Sequence, residues 1–500
     1  FNESFHNFPV SSKAEFIGNL YCEMRFPFLL LAFSFCSGSS SLPISFHPHK
    51  VISLPGAPNH PDFNLFAGYL NGSSNDTSIP IYYFLAEAIR VDPSTAPLVV
   101  WFNGGPGGSS LYGFFKEHGP YRITESGDTL TYHEFSWNQY ANVLYLESPL
   151  GVGFSQNTQG DRTMNDLDTA EINFNALKDL MTRVHPNYAD RDYYLSGQSY
   201  AGVFVPYFAR RLLEGIESGE FKNTNFKGFA IGNPIFEKNS GVLAELMHLT
   251  SKGLVGLDNL NAIHGYWAKI EKGEKLTEEE QINIFIAYLS FYKQVGVNSP
   301  QHYNFIEHCF TETLEEEYHI PTEKKAISCF ANGAIESYLN RADVQVAIHA
   351  NASESFKWKS LNEDLSQMYS RDDNILPVYD EIFRLVNSSS FRVLIYNGDT
   401  DIMISPIQTI YNTKKIADAN SMEIRLYEEL QSTAWNCYGD FAGEQISYAS
   451  GSITMDVLTV RGAGHSVPTD LPAQAFQMIH NFIFTEDNHA INYSQPIRKH

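Results

Sequence analysis

DYYLSGQSYAGVFVPYFARRLLEGIE, residues 192–217, sets an apolar run against a helical pattern with almost nothing between them. The reading is a strand over 192–197, a turn, and a helix over 203–217. Ser199 stands in the turn, with Gly197 before it and Ala201 after it. A serine on so sharp a turn needs small neighbours, because its backbone is strained and the following helix passes close by; its hydroxyl is then held up as a nucleophile. The usual pattern has glycine on both sides, and here Ala201 stands in the second place. Small residues also make ordinary turns, so the rest of the chain has to decide.

Working outward, residues 79–88 (IPIYYFLAEA), 96–105 (APLVVWFNGG), 141–149 (ANVLYLESP) and 226–234 (FKGFAIGNP) are apolar or β-branched runs closed by Gly or Pro, and read as strands. NDLDTAEINFNALKDLMTRV (165–184) reads as a helix. Strands alternating with helices predict an α/β fold with a mostly parallel, wound sheet flanked by helices. After Pro234 the pattern turns helical. LTEEEQINIFIAYLSFY (276–292) carries a capping box at Thr277 and Glu280, and Ile282, Phe285, Ile286 and Leu289 form one apolar stripe, read as a face turned to the core. Alternation resumes with FRVLIYNGDTD (391–401) and MDVLTVRGAGH (455–465). The expected organisation is a core over 45–235 and 376–486, assembled from both flanks, with an inserted helical cap and the return to the core over 236–375.

Three post-strand loops join Ser199. FNGGPGGSS (102–110) lacks the third glycine of a dinucleotide site, Ser110 standing in its place, and no GxxxxGK[ST] occurs. Glycines there also suit a loop that donates N–H groups to an oxyanion. Asp401 in YNGDTDIMISP (396–406) could orient a histidine, and His465 lies in RGAGHSVPTDLP (461–472). Each alone has a bland reading as a turn or a structural residue. Together, Ser199, Asp401 and His465 follow the chain order of a triad on an α/β-hydrolase sheet.

The blocks WFNGGPGGSS, ANVLYLESPLGVGFS, LSGQSYAGVFVP, GFAIGNP, YLNRADVQVAIHA, NGDTD and VRGAGHSVPTDLPAQAF resemble, in order and from about Val51 to Phe484, the vacuolar and lysosomal serine carboxypeptidases. The resemblance implies Ser199 as nucleophile, His465 as general base and Asp401 as its orienter, with an oxyanion hole from the N–H groups of Gly105 and Tyr200. It implies binding of a peptide's C-terminal carboxylate by Asn103, Glu117 and position 198, and it implies the cap. Two departures stand out. Gly108 replaces the family's disulfide cysteine, so that bridge toward the Cys329 region is expected to be absent. Gln198 replaces a glutamate before the nucleophile, which leaves the triad intact and alters carboxylate recognition.

Composition sets the surroundings. Lys and Arg number 34 against 57 Asp and Glu, a net charge of −23, which argues against nucleic acid or an anionic membrane as partner. Such acidity suits a soluble protein of an acidic compartment. Residues 1–23 are expected to be an upstream extension, and 24–41, MRFPFLLLAFSFCSGSSS, a secretory signal peptide whose apolar run is too short to span a bilayer. No other stretch is long and apolar enough to cross one. Sequons at Asn71, Asn75, Asn351, Asn387 and Asn492 agree with secretion. Of the three cysteines beyond the leader, Cys309 and Cys329 are the local pair expected to bridge, leaving Cys437 spare. With no CxxC and no HExxH, neither metal nor cofactor is expected. The expected protein is a secreted or lysosomal serine carboxypeptidase acting at acid pH on peptide or protein C-termini, with a homodimer left open. An acyltransferase on the same triad and a non-catalytic binding or protective protein are the alternatives.

Overall fold

Runs rich in Val, Leu, Ile, Tyr and Phe become strands buried on both faces, since helices cover a parallel sheet above and below. In chain order the principal strands are β1 (Leu65–Asn71), β2 (Pro80–Ala86), β3 (Leu98–Phe102), β4 (Asn142–Leu146), β5 (Tyr193–Gln198), β6 (Phe226–Gly232), β7 (Phe391–Gly398), β8 (Asp440–Ser450) and β9 (Ile453–Val460). They lie in the order β1-β2-β4-β3-β5-β6-β7-β9-β8, within a sheet of twelve strands among the described residues. From β4 to β9 neighbours run parallel. Pairing is antiparallel for β1 with β2, β2 with β4, and β9 with β8. The computed structural model describes residues 47–497, apart from 59–62, 74–77, 158–162, 238–240, 254–256, 296–302, 307–308, 311–326, 329–332, 351–352, 354, 389, 426–432 and 487–490. The expected extension and leader, the sequons at Asn75 and Asn351, and Cys329 lie outside the described residues. So does the Cys309–Cys329 pairing, although Cys309–Phe310 and Ile327–Ser328 pair as parallel strands.

Alternation along each strand divides the core into two layers. Val100 and Phe102 of β3 face Phe174, Leu177, Phe204 and Phe208 of helices α1 (Asp166–Asp179) and α2 (Ala201–Glu217). Val99 and Trp101 face the opposite layer, with Phe114, Phe115, Met478 and Phe482. β6 pairs directly with β7 across the whole intervening stretch, Gly228 beside Arg392.

That stretch holds α3 (Gly241–Ser251), α4 (Leu257–Glu271) and α5 (Glu278–Val295). With α7 (Pro406–Ala419), which follows α6 (Leu376–Leu385) in the chain, they enclose a small core of their own around Leu243, Leu246, Leu249, Ile263, Trp267 and Ile284. No helix of the described residues is long and apolar enough to cross a membrane. The capping box forms as read: Thr277 N–H donates to Glu280 Oε2 at 2.9 Å and Glu280 N–H to Thr277 Oγ1 at 3.2 Å.

The stripe on α5 does not face the core. Ile282, Phe285, Ile286 and Leu289 are 47–57% exposed, whereas Ile284 is buried. Both sides of this helix are apolar, so the stripe alone could not orient it; packing against α3 and α4 chose the side carrying Ile284, Ala287 and Tyr288. Beside it a groove of about 1010 Å³ runs between Leu243, Ile270, Leu276, Ile284, Phe285 and Tyr411, and none of the residues singled out for catalysis lines it.

Candidate active site

Strand β5 ends at Gln198 and α2 begins at Ala201, so Ser199 turns the chain within two residues. Its φ is +63°, a left-handed conformation that is costly for a residue with a Cβ. Hydrogen bonds hold it there: Ser199 N–H donates to Gly232 O at 3.0 Å, and Ser199 O accepts from Gly202 at 2.9 Å and from Ile235 at 3.1 Å. A Cβ at Gly197 would lie 2.5 Å from the Ala201 Cβ and 2.6 Å from Phe102 O. The bare Gly197 is what makes room for Ala201 at the position where glycine is usual.

The glycine loop after β3 lies directly on this turn, since a Cβ on Gly104 would come 2.5 Å from the Tyr200 nitrogen. Gly105 follows at φ +116°. A Cβ on Gly104 would also come 2.8 Å from Ser199 Cβ, and among the described residues neither the Gly105 nor the Tyr200 N–H is engaged in a hydrogen bond.

Asp401 follows β7 and His465 follows β9, and His465 Nδ1 lies 2.6 Å from Asp401 Oδ2. Asp401 is fully buried and His465 is 8% exposed. Burial alone would lower the proton affinity of His465, but the Asp401 charge and its hydrogen bond outweigh it and hold the pKa above the ordinary histidine value. The structure thus brings the predicted acid and base into contact. It does not bond the base to Ser199, whose hydroxyl has no hydrogen-bond partner among the described residues; such contacts are often loose until substrate binds. The neighbouring Asp399 instead accepts the Gly462 N–H at 2.6 Å.

A second constellation adjoins the first. Asn103 Nδ2 donates to Glu117 Oε1 at 2.7 Å, and Gln198 Nε2 donates to the same oxygen at 2.9 Å. Asn103 is itself fixed, its Oδ1 accepting from Trp101 Nε1 at 2.8 Å and from the Gly113 N–H at 3.1 Å. Glu117 Oε2 is buried without a partner among the described residues. Burial pushes the Glu117 pKa up to about 7, against the Asn103 hydrogen bond, which lowers it. Below that pH Glu117 is a neutral acid with one O–H to give.

Sequence reasoning assigned no part to three groups found here. Asn233 Nδ2 donates to Asp401 Oδ2 at 2.7 Å. Tyr303 sets its ring edge-on to His465, with centroids 5.0 Å apart, and its carbonyl accepts the His465 N–H at 2.6 Å. Trp101 anchors Asn103. Asn233 stood inside a quoted motif, but nothing in a linear pattern says which loop its side chain meets. Elsewhere, Asn387 and Asn492 are exposed, Asn71 is half-buried with its Oδ1 held by the Ser73 and Ile79 N–H groups, and Cys437 is a buried free thiol.

Similarity to known proteins runs over most of the chain. The family model described as serine carboxypeptidase matches residues 55–485. Serine carboxypeptidase ctsa-3.2 of Caenorhabditis elegans is 30% identical, covering 89% of this chain and 96% of that protein. Serine carboxypeptidase ctsa-4.1 of the same organism is 32% identical, covering 93% and 97%. The lysosomal protective protein of Mus musculus is 29% identical, covering 92% and 98%. Among solved structures, a prohormone-processing carboxypeptidase from Saccharomyces cerevisiae superposes with a TM-score of 0.68 at 20% identity, covering 87% of this chain and 95% of that one.

Proposed function

This chain belongs to the serine carboxypeptidase family, and on that premise we propose that Ser199, His465 and Asp401 are the residues through which it acts. Its fold is that of an α/β-hydrolase. It is a serine-type carboxypeptidase, releasing C-terminal residues from peptides by a Ser-His-Asp acyl-enzyme mechanism. Ser199 Oγ attacks the last peptide carbonyl while His465 takes the hydroxyl proton; the carbonyl oxygen, now negative, accepts from the Gly105 and Tyr200 N–H groups. His465 returns the proton to the leaving amine, and the C-terminal amino acid departs. Water, deprotonated by His465, then cleaves the ester on Ser199. The observation that carries this assignment is the buried 2.6 Å His465–Asp401 pair beside a serine held at φ +63°.

The substrate's carboxylate is taken by Asn103, Glu117 and Gln198. What supports this is the convergence of two N–H donors and a protonatable acid next to the nucleophile turn. Residues 45–235 and 376–486 form the catalytic core and 236–375 the cap insertion and its return to the core, a division supported by the direct β6–β7 pairing, by the small core of α3–α5, and by Ile335, Tyr338 and Trp358 packing in the sheet layer of Trp101. The chain enters the secretory pathway and works outside the cell or in a lysosome-like compartment; the leader at 24–41, the exposed Asn387 and Asn492, and a lysosomal relative support this. Cys309 and Cys329 pair, supported by their local spacing.

Gln198 favours a second reading, acyl transfer to an alcohol, because it changes the group that would read a free carboxylate. The test is turnover of a blocked dipeptide and of its C-terminal amide, with and without an alcohol acceptor, alongside fluorophosphonate labelling of Ser199. Preference for the free acid with hydrolysis as the main outcome is expected. Preference for the amide, with ester formed in the presence of alcohol, would favour the transferase.

A further inference from the structure

Asn233 is the last residue of a tie that joins all three catalytic loops. It is fully buried and lies one residue beyond β6, at φ +45°. The carbonyl of the preceding Gly232 accepts the Ser199 N–H, so the nucleophile turn hangs from the same strand end. The Asn233 backbone N–H donates to Tyr396 O of β7 at 2.7 Å. Its side chain is spent at both ends: Nδ2 donates to Asp401 Oδ2 at 2.7 Å and, more weakly, to Gly464 O at 3.4 Å, while Oδ1 accepts from the Gly398 N–H at 3.4 Å. An amide anchored by its oxygen as well as its nitrogen cannot swing away from Asp401.

Asp401 needs such a partner. It is 0% exposed, its Oδ1 has no hydrogen-bond partner among the described residues, and Oδ2 receives both His465 Nδ1 and Asn233 Nδ2. A buried carboxylate with one donor is poorly compensated and free to rotate; a second N–H on the same oxygen supplies charge-assisted stabilisation and fixes which oxygen faces the histidine. The residue type is restricted. Asparagine tolerates the left-handed conformation better than most residues with a side chain, reaches with a short amide, and brings no charge of its own.

We propose that Asn233 is a positioning residue of the hydrolytic reaction, holding Asp401 Oδ2 on His465 Nδ1 and tying the acid loop to the nucleophile turn. The proposal rests on the triad assignment above. The charged and titratable groups facing His465 are Asp401, Glu117, Asp470 and the Tyr303 phenol, and only Asp401 is bonded to Asn233.

Two variants test it, with wild type and Ser199→Ala measured in the same assay. Asn233→Gly removes the amide and leaves a residue that adopts φ +45° freely. Its kcat for a blocked dipeptide should fall about tenfold to a hundredfold, as expected when a catalytic group is misplaced, with KM little changed. A folded Asn233→Gly protein, checked by its thermal melt, that keeps the wild-type kcat overturns the proposal. Asn233→Asp keeps the shape. When protonated, the new carboxyl can still donate to Asp401, and when ionised it cannot; its kcat relative to wild type should therefore be highest at acid pH and fall as pH rises. A ratio that does not change with pH also overturns the proposal. Activity surviving in Ser199→Ala would instead sink the triad assignment, so the two failures are distinguishable.

Discussion

Ser199 and His465 carry the clearest predictions. Ser199→Ala should lose on the order of 10⁴- to 10⁶-fold in kcat, and His465→Ala nearly as much, because triad members act as a unit. Asp401→Asn should be severe and Asp399→Asn mild, since Asp401 meets His465 while Asp399 only holds the Gly462 N–H. Steady-state rates on a blocked dipeptide decide this; equal losses at 399 and 401 would undo the assignment of the acid. Glu117 gives a pH signature. Burial holds its pKa at about 7, so in the proposed carboxylate site it would donate to a substrate carboxylate below that pH and set a buried negative charge against one above it. KM for a free-acid dipeptide should therefore rise above pH 7, while KM for its amide stays flatter. Gln198 holds Glu117 Oε1 through an N–H at any pH, so Gln198→Glu, which makes two carboxyls share a proton, should steepen the rise. Parallel KM curves for the two forms would sink this account of Gln198.

At the scale of elements, the strand-turn-helix around Ser199 was legible because three properties coincided in one short stretch: an apolar run, a Gly-flanked serine and a helical pattern. The structure adds why Ala201 is accepted, which is the missing Cβ at Gly197. Helix α5 shows the opposite case. Its start was legible, since a capping box is a contact between residues three apart. Its buried side was not, because α5 carries apolar residues on two sides and only α3 and α4 decide which side they cover. Phe285→Ser should accordingly change stability by no more than about 0.5 kcal/mol, the usual surface range. Ile284→Ala should cost about 2 kcal/mol, as for a buried isoleucine truncated at the margin of a small core. Denaturant midpoints for the pair give the comparison, and a larger loss at 285 than at 284 would reverse the assignment of the faces.

For the whole molecule, pH acts on stability through two sets of buried groups. Burial pushes Glu117 and Glu147 up to about 7 and Asp456 to about 6. Each binds its proton more tightly folded than unfolded, so its stabilisation is full below about pH 4 and is lost progressively as pH rises from there to its folded value of 6 to 7. Burial likewise pushes His49, His133 and His248 down to about 4, His185 to about 3, and His118 well below the ordinary histidine value. These stay neutral when folded, so their stabilisation is present above 6.5 and is lost as pH falls toward 4. The two sets oppose each other between about 4.5 and 6.5. Five histidines against three carboxyls leave a net gain with pH, so the melting temperature should rise gently across that window and decline on both sides. Scanning calorimetry from pH 3.5 to 8 measures it, and a melting temperature climbing steadily to pH 8 would refute the part given to the carboxyls.

By itself the sequence determined the order of strands and helices, the nucleophile turn, and the chain order of Ser199, Asp401 and His465, because each is written in neighbouring residues and their periodicity. Tertiary structure alone decided what crosses between distant segments. Asn233 reaching Asp401, Tyr303 lying on His465, and Gln198 and Asn103 meeting on one oxygen of Glu117 are contacts between loops brought together at the strand ends of one sheet. The side of α5 that faces solvent was settled in the same way. Such choices depend on how the elements pack, and a one-dimensional pattern holds no record of which of two similar faces, or of two oxygens, a distant partner will take.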